Sequence, residues 1–270
     1  MSKTIIITGS TDGIGKLTAL KMAKEGHTIF VHGRNEVKVE AVISEIKSAS
    51  NNRNIKGLVA DFSDLDAVSK LAEHIKNEIP KIDVLINNAG IFKSQISQNN
   101  TGLDIRMVVN YLAPYQLTNA ILPILKNSGA PRIINLSSAA QAPISEAVLK
   151  GTEQQSENST YAQSKLALTM WSFDLAEQEP NITVIAVNPG SLLNTKMANE
   201  AYGQHWSPAE KGVNILYDLA LSEEYKNDSG KYFDNDKGDP KGHFSSAHID
   251  AYDEEKIKEL LLLTESVLNI

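Results

Sequence analysis

Short apolar runs alternate along the chain with longer segments in which apolar residues recur every three or four positions. The short runs are rich in β-branched residues and predict strands at Ile5–Thr8, Thr28–His32, Ile55–Ala60, Val84–Asn87, Arg132–Leu136, Thr183–Val187 and Lys231–Phe233. The longer segments predict helices at Ile14–Lys24, Glu36–Ser48, Leu65–Asn77, Leu103–Leu125, Tyr161–Glu177 and Asp253–Leu268. Alternation of this kind is typical of an α/β fold with a parallel sheet.

The predicted strands are apolar nearly throughout, which indicates a sheet that helices cover on both faces. We find no linker and expect residues 1–270 to form a single domain with seven parallel strands. Ser63 and Ser207 are predicted to cap the helices that follow them. The connection Ala139–Ser159 is unusually long, and residues 190–212 are predicted to form a substrate-binding loop or lid.

The chain is acidic, with a formal net charge of −7, and it contains no cysteine. An acidic surface disfavours nucleic acid and anionic lipid as partners. The lack of cysteine excludes disulfides, thiol nucleophiles and thiolate metal sites. No apolar run is long enough for a signal sequence or a membrane span, and the six histidines show no metal-ligand spacing. We therefore expect a cytoplasmic protein without a membrane anchor or a metal.

A glycine-rich turn, Thr8–Gly15, follows the first predicted strand directly and leads into the first helix. Glycines allow a sharp turn and the close approach of a pyrophosphate, and the N-terminus of the helix offers unpaired N–H groups and a partial positive charge. The alternative is a tight connection that binds nothing. Its place after the first strand favours dinucleotide binding, because dinucleotides bind at this edge of doubly wound sheets.

The residues after the second predicted strand indicate which dinucleotide binds. A site for NAD(H) has an acidic residue there for the ribose 2′-hydroxyl, whereas this chain has no carboxylate before Glu36. Arg34 can instead pair with a 2′-phosphate through charge-assisted hydrogen bonds. The alternative is a solvated arginine at the start of a helix. The sequence thus favours NADP(H) over NAD(H).

A phenol and an ammonium, on Tyr161 and Lys165, stand four residues apart on one predicted helix face. A neighbouring cation favours the phenolate, which makes tyrosine a usable general acid or base for a carbonyl and alcohol pair. Ser138 ends the serine pair after the fifth strand, where its hydroxyl can hold a carbonyl oxygen. Each feature alone is weak, since such pairs occur by chance and serines are common in turns. Their position at one sheet edge predicts a proton-transfer site.

These motifs and their order resemble the short-chain dehydrogenase/reductase superfamily over nearly the whole chain. The motifs are TGSTDGIG at Thr8–Gly15, NNAG at Asn87–Gly90, Asn110 in a VVN run, LSS ending at Ser138, YAQSK at Tyr161–Lys165 and NPG at Asn188–Gly190. The spacing between Ser138 and Tyr161 is longer than in most relatives and resembles the retinol-dehydrogenase branch. The resemblance implies a doubly wound Rossmann fold with a seven-stranded parallel sheet.

The resemblance also implies a role for each matching residue. Tyr161 would exchange a proton with the substrate oxygen, and Ser138 would orient that oxygen. Lys165 would hold the nicotinamide ribose, and Asn110 would position a water molecule in a proton relay. The implied cofactor-binding residues are Gly9, Thr11, Asp12, Gly13, Ile14, Gly15, Arg34, Asp61, Asn87, Ala89, Gly90, Tyr161, Lys165, Pro189, Gly190 and Thr195.

Asp61 has a specific implied contact, and Thr195 departs from the family pattern by one position. Asp61 would accept from the adenine amino group, and Thr195 stands one place later than the corresponding threonine of relatives, whose position holds Asn194. The resemblance further implies a homodimer or homotetramer formed through helices Leu103–Leu125 and Tyr161–Glu177.

The function expected from these residues is NADP(H)-dependent interconversion of a carbonyl and an alcohol on a small or medium lipophilic substrate. The alternative is a redox sensor or scaffold that binds NADPH without significant turnover. Such a sensor needs only the glycine turn and Arg34. The presence of Ser138, Tyr161 and Lys165 therefore favours the enzyme.

Overall fold

The computed structural model describes residues 2–196, 198–199 and 203–270. The strands in these ranges are β1 (Thr4–Ile7), β2 (Thr28–Gly33), β3 (Ile55–Val59), β4 (Val84–Asn87), β5 (Arg132–Leu136), β6 (Thr183–Asn188), β7 (Lys231–Asp234) and β8 (His243–Phe244). The helices are α1 (Gly13–Lys24), α2 (Glu36–Ser50), α3 (Leu65–Glu78), α4 (Ile105–Met107), α5 (Ala113–Leu125), α6 (Glu146–Leu149), α7 (Glu157–Gln178), α8 (Ala209–Leu221) and α9 (Glu254–Leu268). The predicted α/β alternation is confirmed.

All the strands belong to one sheet, in the order β3-β2-β1-β4-β5-β6-β7-β8. The first seven pair in parallel, as predicted, whereas β8 pairs antiparallel with β7 through Phe233 and Phe244. The expectation of a seven-stranded, wholly parallel sheet is therefore wrong by one edge strand. The order reverses between β1 and β4, which opens a crevice at the carboxyl ends of the strands, where ligands bind in such sheets.

Helices cover the sheet on both faces because alternate residues of each strand point to opposite sides. On β1, Ile5 and Ile7 belong to the core beneath α1, α2 and α8. Ile6 belongs to the other core, beneath α3, α5 and α7. All three isoleucines are fully buried, and burial of such a side chain stabilises a fold by about 1.5–3 kcal/mol. The two layers hold the carboxyl ends of the strands at one edge.

Several helix boundaries differ from the prediction. The predicted helix Leu103–Leu125 begins at Ile105 and passes through a π-helical stretch, Val108–Leu112, before α5. Asp64 caps α3 in place of Ser63, since its carboxylate accepts from two backbone N–H groups of the first turn. Pro208 flanks the start of α8 in place of Ser207 and offers no side-chain cap.

The connection predicted as a long loop before Tyr161 contains a short helix. This helix, α6, buries Val148 and Leu149 completely, so the insertion is packed onto the body of the fold. The C-terminal helix α9 packs against α7, and the Thr264 hydroxyl lies 2.7 Å from the Tyr111 hydroxyl. Part of the surface predicted to join subunits is thus covered by the chain itself, and the oligomeric state stays a prediction. Within the described ranges, no helix is long and apolar enough to span a bilayer.

Candidate active site

Two glycines shape the turn between β1 and α1, and they have different tasks. Gly9 and Gly13 both adopt positive φ values, +60° and +56°, which favour glycine. A Cβ atom on Gly9 would lie 2.7 Å from the Cα atom of Ala89, so this glycine allows the turn to pack against the chain after β4. A Cβ atom on Gly13 would meet nothing nearer than the Thr195 methyl group at 3.9 Å. A Cβ at Gly13 would therefore only touch Thr195, and this glycine is required by its positive φ and not by close packing.

A crevice lies between this turn and the chain that follows β6. Its lining residues are Asp12, Gly13, Lys16, Leu17, Asn194, Thr195, Lys196 and Asn199. The N-terminus of α1 makes this crevice suitable for a pyrophosphate. Of the two lysines, Lys16 is already paired with Glu45 at 3.0 Å. Asp12 caps α1, because its carboxylate accepts from the Gly13 N–H at 2.7 Å. The residues present fit a dinucleotide, with Asp12 stabilising the turn.

Two side chains that the sequence reasoning did not single out hold the glycine turn in place. The Asn88 amide donates to the carbonyl oxygens of Thr8 and Gly9, at 2.7 and 2.9 Å. The Nδ1 atom of His32 accepts from the Gly9 N–H, and its Nε2 atom donates to the Ala60 carbonyl, both at 3.1 Å. Burial lowers the pKa of His32 to about 4, so the ring is neutral and can serve as both donor and acceptor. The sequence offers one sign of this role, because His32 is a polar residue in an otherwise apolar strand and therefore needs a hydrogen-bond partner.

Asn87 does not line the crevice through its side chain. The residue is buried, and its amide nitrogen donates to Thr118 Oγ1 at 3.0 Å and to Asn135 Oδ1 at 2.8 Å. The side chain therefore ties β4 to α5 and β5. Its neighbour Asn88, which belongs to the same sequence motif, is the asparagine whose side chain contacts the turn.

The predicted adenosine side lies at the ends of β2 and β3. Arg34 follows β2 and is exposed. Asp61 follows β3, and its Oδ1 atom accepts from the backbone N–H and the hydroxyl of Ser63, at 2.9 and 2.8 Å. Thr11 reaches this side as well, because a Cβ on Gly33 would lie 2.5 Å from its methyl group. The two parallel strands bring Arg34 and Asp61 to the same edge of the sheet.

The serine pair after β5 divides into one structural and one accessible residue. Ser137 is buried, and its hydroxyl contacts the Lys165 carbonyl at 3.1 Å and Thr169 Oγ1 at 2.6 Å. Ser138 is partly exposed, and its oxygen accepts from the Ala140 N–H at 3.1 Å. Ser138 is therefore the accessible member of the pair, and its hydrogen bond to a substrate oxygen stays a prediction.

Tyr161 and Lys165 lie one turn apart on α7, as their spacing predicts. The Lys165 Nζ atom is 5.6 Å from the centre of the Tyr161 ring and donates to the Leu136 carbonyl at 2.7 Å. Burial lowers the pKa of Lys165 to about 8. Phe92 packs edge-to-face on Tyr161, with 5.0 Å between the ring centres. The phenol thus has a cation on one side and an apolar wall on another.

Asn110 lies in the π-helical stretch and joins the loop after β4 to α7. Its Oδ1 atom accepts from the Ile91 N–H at 2.8 Å, and its Nδ2 atom donates to the Ile91 carbonyl and to Ser164 Oγ, both at 3.0 Å. The Ser164 hydroxyl in turn donates to the Tyr161 carbonyl at 2.7 Å. Single π-turns inside helices are frequent at functional sites. The structure therefore connects Asn110 with Tyr161 through Ser164, which sequence reasoning had not assigned.

Gly90 lies at the centre of these groups and allows a direct mutational test. A Cβ atom there would lie 3.3 Å from Asn110 Oδ1 and 3.5 Å from Lys165 Nζ. We expect Gly90→Val to lower turnover by about tenfold or more, because it displaces both groups. Steady-state kinetics would measure this. Gly129→Val is the matched control, since no atom lies within 4 Å of its Cβ position, and equal turnover in both variants would contradict the assignment.

The chain after β6 begins with Pro189 and Gly190 and runs along the crevice. Thr195 faces the glycine turn, since its methyl group would lie 3.9 Å from a Cβ atom placed on Gly13. Further along, the chain folds back on itself, since the Asn194 N–H donates to the Ser207 carbonyl at 2.8 Å. Of the predicted lid at 190–212, residues 197 and 200–202 lie outside the described part of the chain, and its role stays a prediction.

Comparison with known proteins gives consistent similarities. A family model described as short chain dehydrogenase matches residues 3–205. Retinol dehydrogenase 12 from Mus musculus is 31% identical over 247 residues, which cover 87% of this chain and 78% of that protein. Retinol dehydrogenase 13 from Homo sapiens is 33% identical over 254 residues, which cover 86% of this chain and 76% of that protein. These matches extend far beyond the glycine turn.

A solved structure is similar in fold and in sequence. It is a short chain dehydrogenase from Escherichia coli CFT073 complexed with NADPH, and it is 26% identical to this chain. The match covers 86% of this chain and 95% of that chain, with a TM-score of 0.71. The similarity therefore extends over most of the fold.

Proposed function

This chain belongs to the short chain dehydrogenase family, and we propose that it is an NADP(H)-dependent oxidoreductase that interconverts a carbonyl and an alcohol. The observation that carries the proposal is the convergence of Ser138, Tyr161 and Lys165 beside the glycine turn. Their elements meet at the carboxyl edge of the sheet, where the crevice between Gly13 and Thr195 suits a dinucleotide. The NADPH complex of the Escherichia coli relative supports the choice of cofactor.

The proposed chemistry assigns one task to each side chain. When bound, the dinucleotide would supply or accept the hydride. The Tyr161 hydroxyl transfers the proton to or from the substrate oxygen, and the Ser138 hydroxyl donates a hydrogen bond to that oxygen. The Lys165 ammonium lies beside the phenol and favours its ionised form. Asn110 joins the loop after β4 to Ser164 of α7.

We further propose that the substrate is a small or medium lipophilic molecule. Phe92 forms an apolar wall beside Tyr161. Two relatives are named for retinol, and their similarity confirms the resemblance to the retinol-dehydrogenase branch. A panel of apolar aldehydes and ketones, with sugars as the polar comparison, would be scanned for loss of NADPH absorbance. Turnover of apolar carbonyls supports the proposal, whereas tight NADPH binding without turnover of any carbonyl favours the sensor.

Arg34→Ala tests the preference for NADP(H). We expect the Michaelis constant for NADPH to rise by about tenfold or more, because a charge-assisted pair with the 2′-phosphate is lost. The constant for NADH, which lacks this phosphate, should change by less than about twofold. Arg53→Ala is the matched control, because Arg53 is an exposed arginine just before β3. It lies at the amino ends of the strands, away from the crevice at their carboxyl ends. Equal weakening of both cofactors by Arg34→Ala would contradict the assignment.

A further inference from the structure

Strand β7 and the chain after it lie beyond residues 3–205, which match the family model, yet they contact the loops of the candidate site. We propose that this segment positions two of those loops. Tyr232 holds the backbone of Ser138, and Asp236 holds the turn at residues 189–191. The inference rests on the proposed function, because it assigns these two residues to the same site.

The contact from β7 is made by the hydroxyl of a buried tyrosine. Tyr232 Oη donates to the Ser138 carbonyl at 2.9 Å, and the Gln141 amide donates to the same oxygen at 3.0 Å. The His248 N–H in turn donates to Gln141 Oε1 at 3.0 Å. Burial raises the pKa of the Tyr232 phenol, so it stays protonated and keeps donating. Two donors therefore hold the backbone carbonyl of Ser138, the residue whose hydroxyl is proposed to bind the substrate oxygen.

The second contact is made by a carboxylate two residues after β7. Asp236 accepts from the Ser191 N–H at 2.9 Å, from the Ser191 hydroxyl at 2.6 Å and from the Asn188 amide at 2.8 Å. Although burial alone would raise it, hydrogen bonds from Ser191 and Asn188 lower the pKa of this carboxyl. The carboxylate thus binds residues on both sides of Pro189 and Gly190, two of the residues that the family resemblance implies for cofactor binding.

The two contacts predict different kinetic effects, because they hold different loops. Tyr232 acts through Ser138, which orients the substrate oxygen, and so it should affect the chemical step. Asp236 acts through the turn at 189–191 and so it should affect the cofactor. If the two residues only stabilised the fold, each substitution would leave kcat and NADPH affinity unchanged or would lower both by the same factor. Both are therefore positioning residues whose effects can be separated by measurement.

The test compares two conservative variants in the full chain. Tyr232→Phe removes only the hydroxyl, and we expect kcat to fall by about fivefold with NADPH affinity within about twofold of wild type. Asp236→Asn replaces an acceptor by an N–H₂ group that opposes the Ser191 donors, and we expect NADPH affinity to fall by about fivefold or more. NADPH affinity is measured by direct titration, and kcat with a carbonyl that wild type reduces.

Tyr225→Phe is the matched control. Tyr225 is 4% exposed against 3% for Tyr232, and its ring packs on Phe233 of β7. Its hydroxyl contacts Lys241 instead of a loop of the site, so kcat and NADPH affinity should stay as in wild type. If Tyr232→Phe behaves as this control does, the proposal is overturned. Should Asp236→Asn fail to fold, Ser191→Ala removes the hydroxyl that donates to Asp236 and should also weaken NADPH binding.

The design separates this inference from the proposed function. If wild type reduces no carbonyl, the proposed function fails, and the direct NADPH titration still decides the inference. Weaker NADPH binding by Asp236→Asn alone then supports the inference, and equal weakening by Asp236→Asn and Tyr232→Phe overturns it. If wild type is active but both variants change kcat and NADPH affinity by equal factors, only the inference fails.

Discussion

Tyr161→Phe is expected to lower kcat by about a thousandfold, because general acid–base groups contribute about 10²–10⁴ to a rate. The substitution removes only the hydroxyl that is proposed to exchange the proton. The aromatic ring stays and can keep its edge-to-face packing on Phe92, 5.0 Å between centres. We therefore expect the dissociation constant for NADPH to change by less than about twofold, since the cofactor site keeps its shape. Turnover and NADPH titration measure the two quantities.

Tyr115→Phe is the control for this substitution. Tyr115 lies on α5 and is buried. Its ring packs on Trp171 of α7, the helix that carries Tyr161, with 5.4 Å between the ring centres. Loss of its hydroxyl should leave turnover unchanged. Loss of NADPH binding in Tyr161→Phe would mean that the tyrosine supports the site structurally. Turnover near the wild-type rate would show that another group carries the proton.

The order of strands and helices could be predicted because local patterns carry that information. Seven strands were predicted from apolar runs, and all seven pair in parallel. The eighth, His243–Phe244, has two residues and forms only because the chain folds back on Phe233, so no pattern of its own marks it. The π-helical stretch at Val108–Leu112 also escaped, since its apolar residues fit an ordinary helix. These features depend on contacts between distant residues.

The site could be predicted only as far as its motifs extend. Tyr161 and Lys165 could be paired from their spacing alone, because both lie on one helix, and the structure places them one turn apart. The contact of His32 with Gly9 spans 23 residues, and that of Tyr232 with Ser138 spans 94. A histidine inside an apolar strand signals a partner, because buried polar groups are hydrogen-bonded, but the sequence does not identify that partner. Asn87 shows the converse, since the resemblance implies that it binds the cofactor, whereas its amide nitrogen donates to Thr118 and Asn135 inside the fold. Its contact with the cofactor stays a prediction.

Lys165→Met is expected to lower turnover strongly and to make the cofactor-free protein more stable at pH 7. The Nζ atom is buried, and its hydrogen bond to the Leu136 carbonyl does not compensate for lost hydration, because burial lowers the pKa of Lys165 to about 8. Methionine has a similar length and no charge, so it fills the same space. We expect the free energy of unfolding to rise by about 2 kcal/mol, as happens when a buried charge is replaced.

The pH dependence distinguishes this cause from a change in packing. Between about pH 8 and 10.5 the unfolded wild type binds more protons than the folded wild type, because the folded pKa of Lys165 is the lower one. The stability contributed by this group therefore rises with pH across that window, and the advantage of Lys165→Met should shrink from pH 7 to pH 10. Denaturant unfolding of the two proteins measures the difference, in which other titrating groups cancel. A Lys165→Met variant less stable than wild type at pH 7 would show that the ammonium stabilises the fold, whereas the expected result means that the fold gives up stability to hold a cation beside Tyr161.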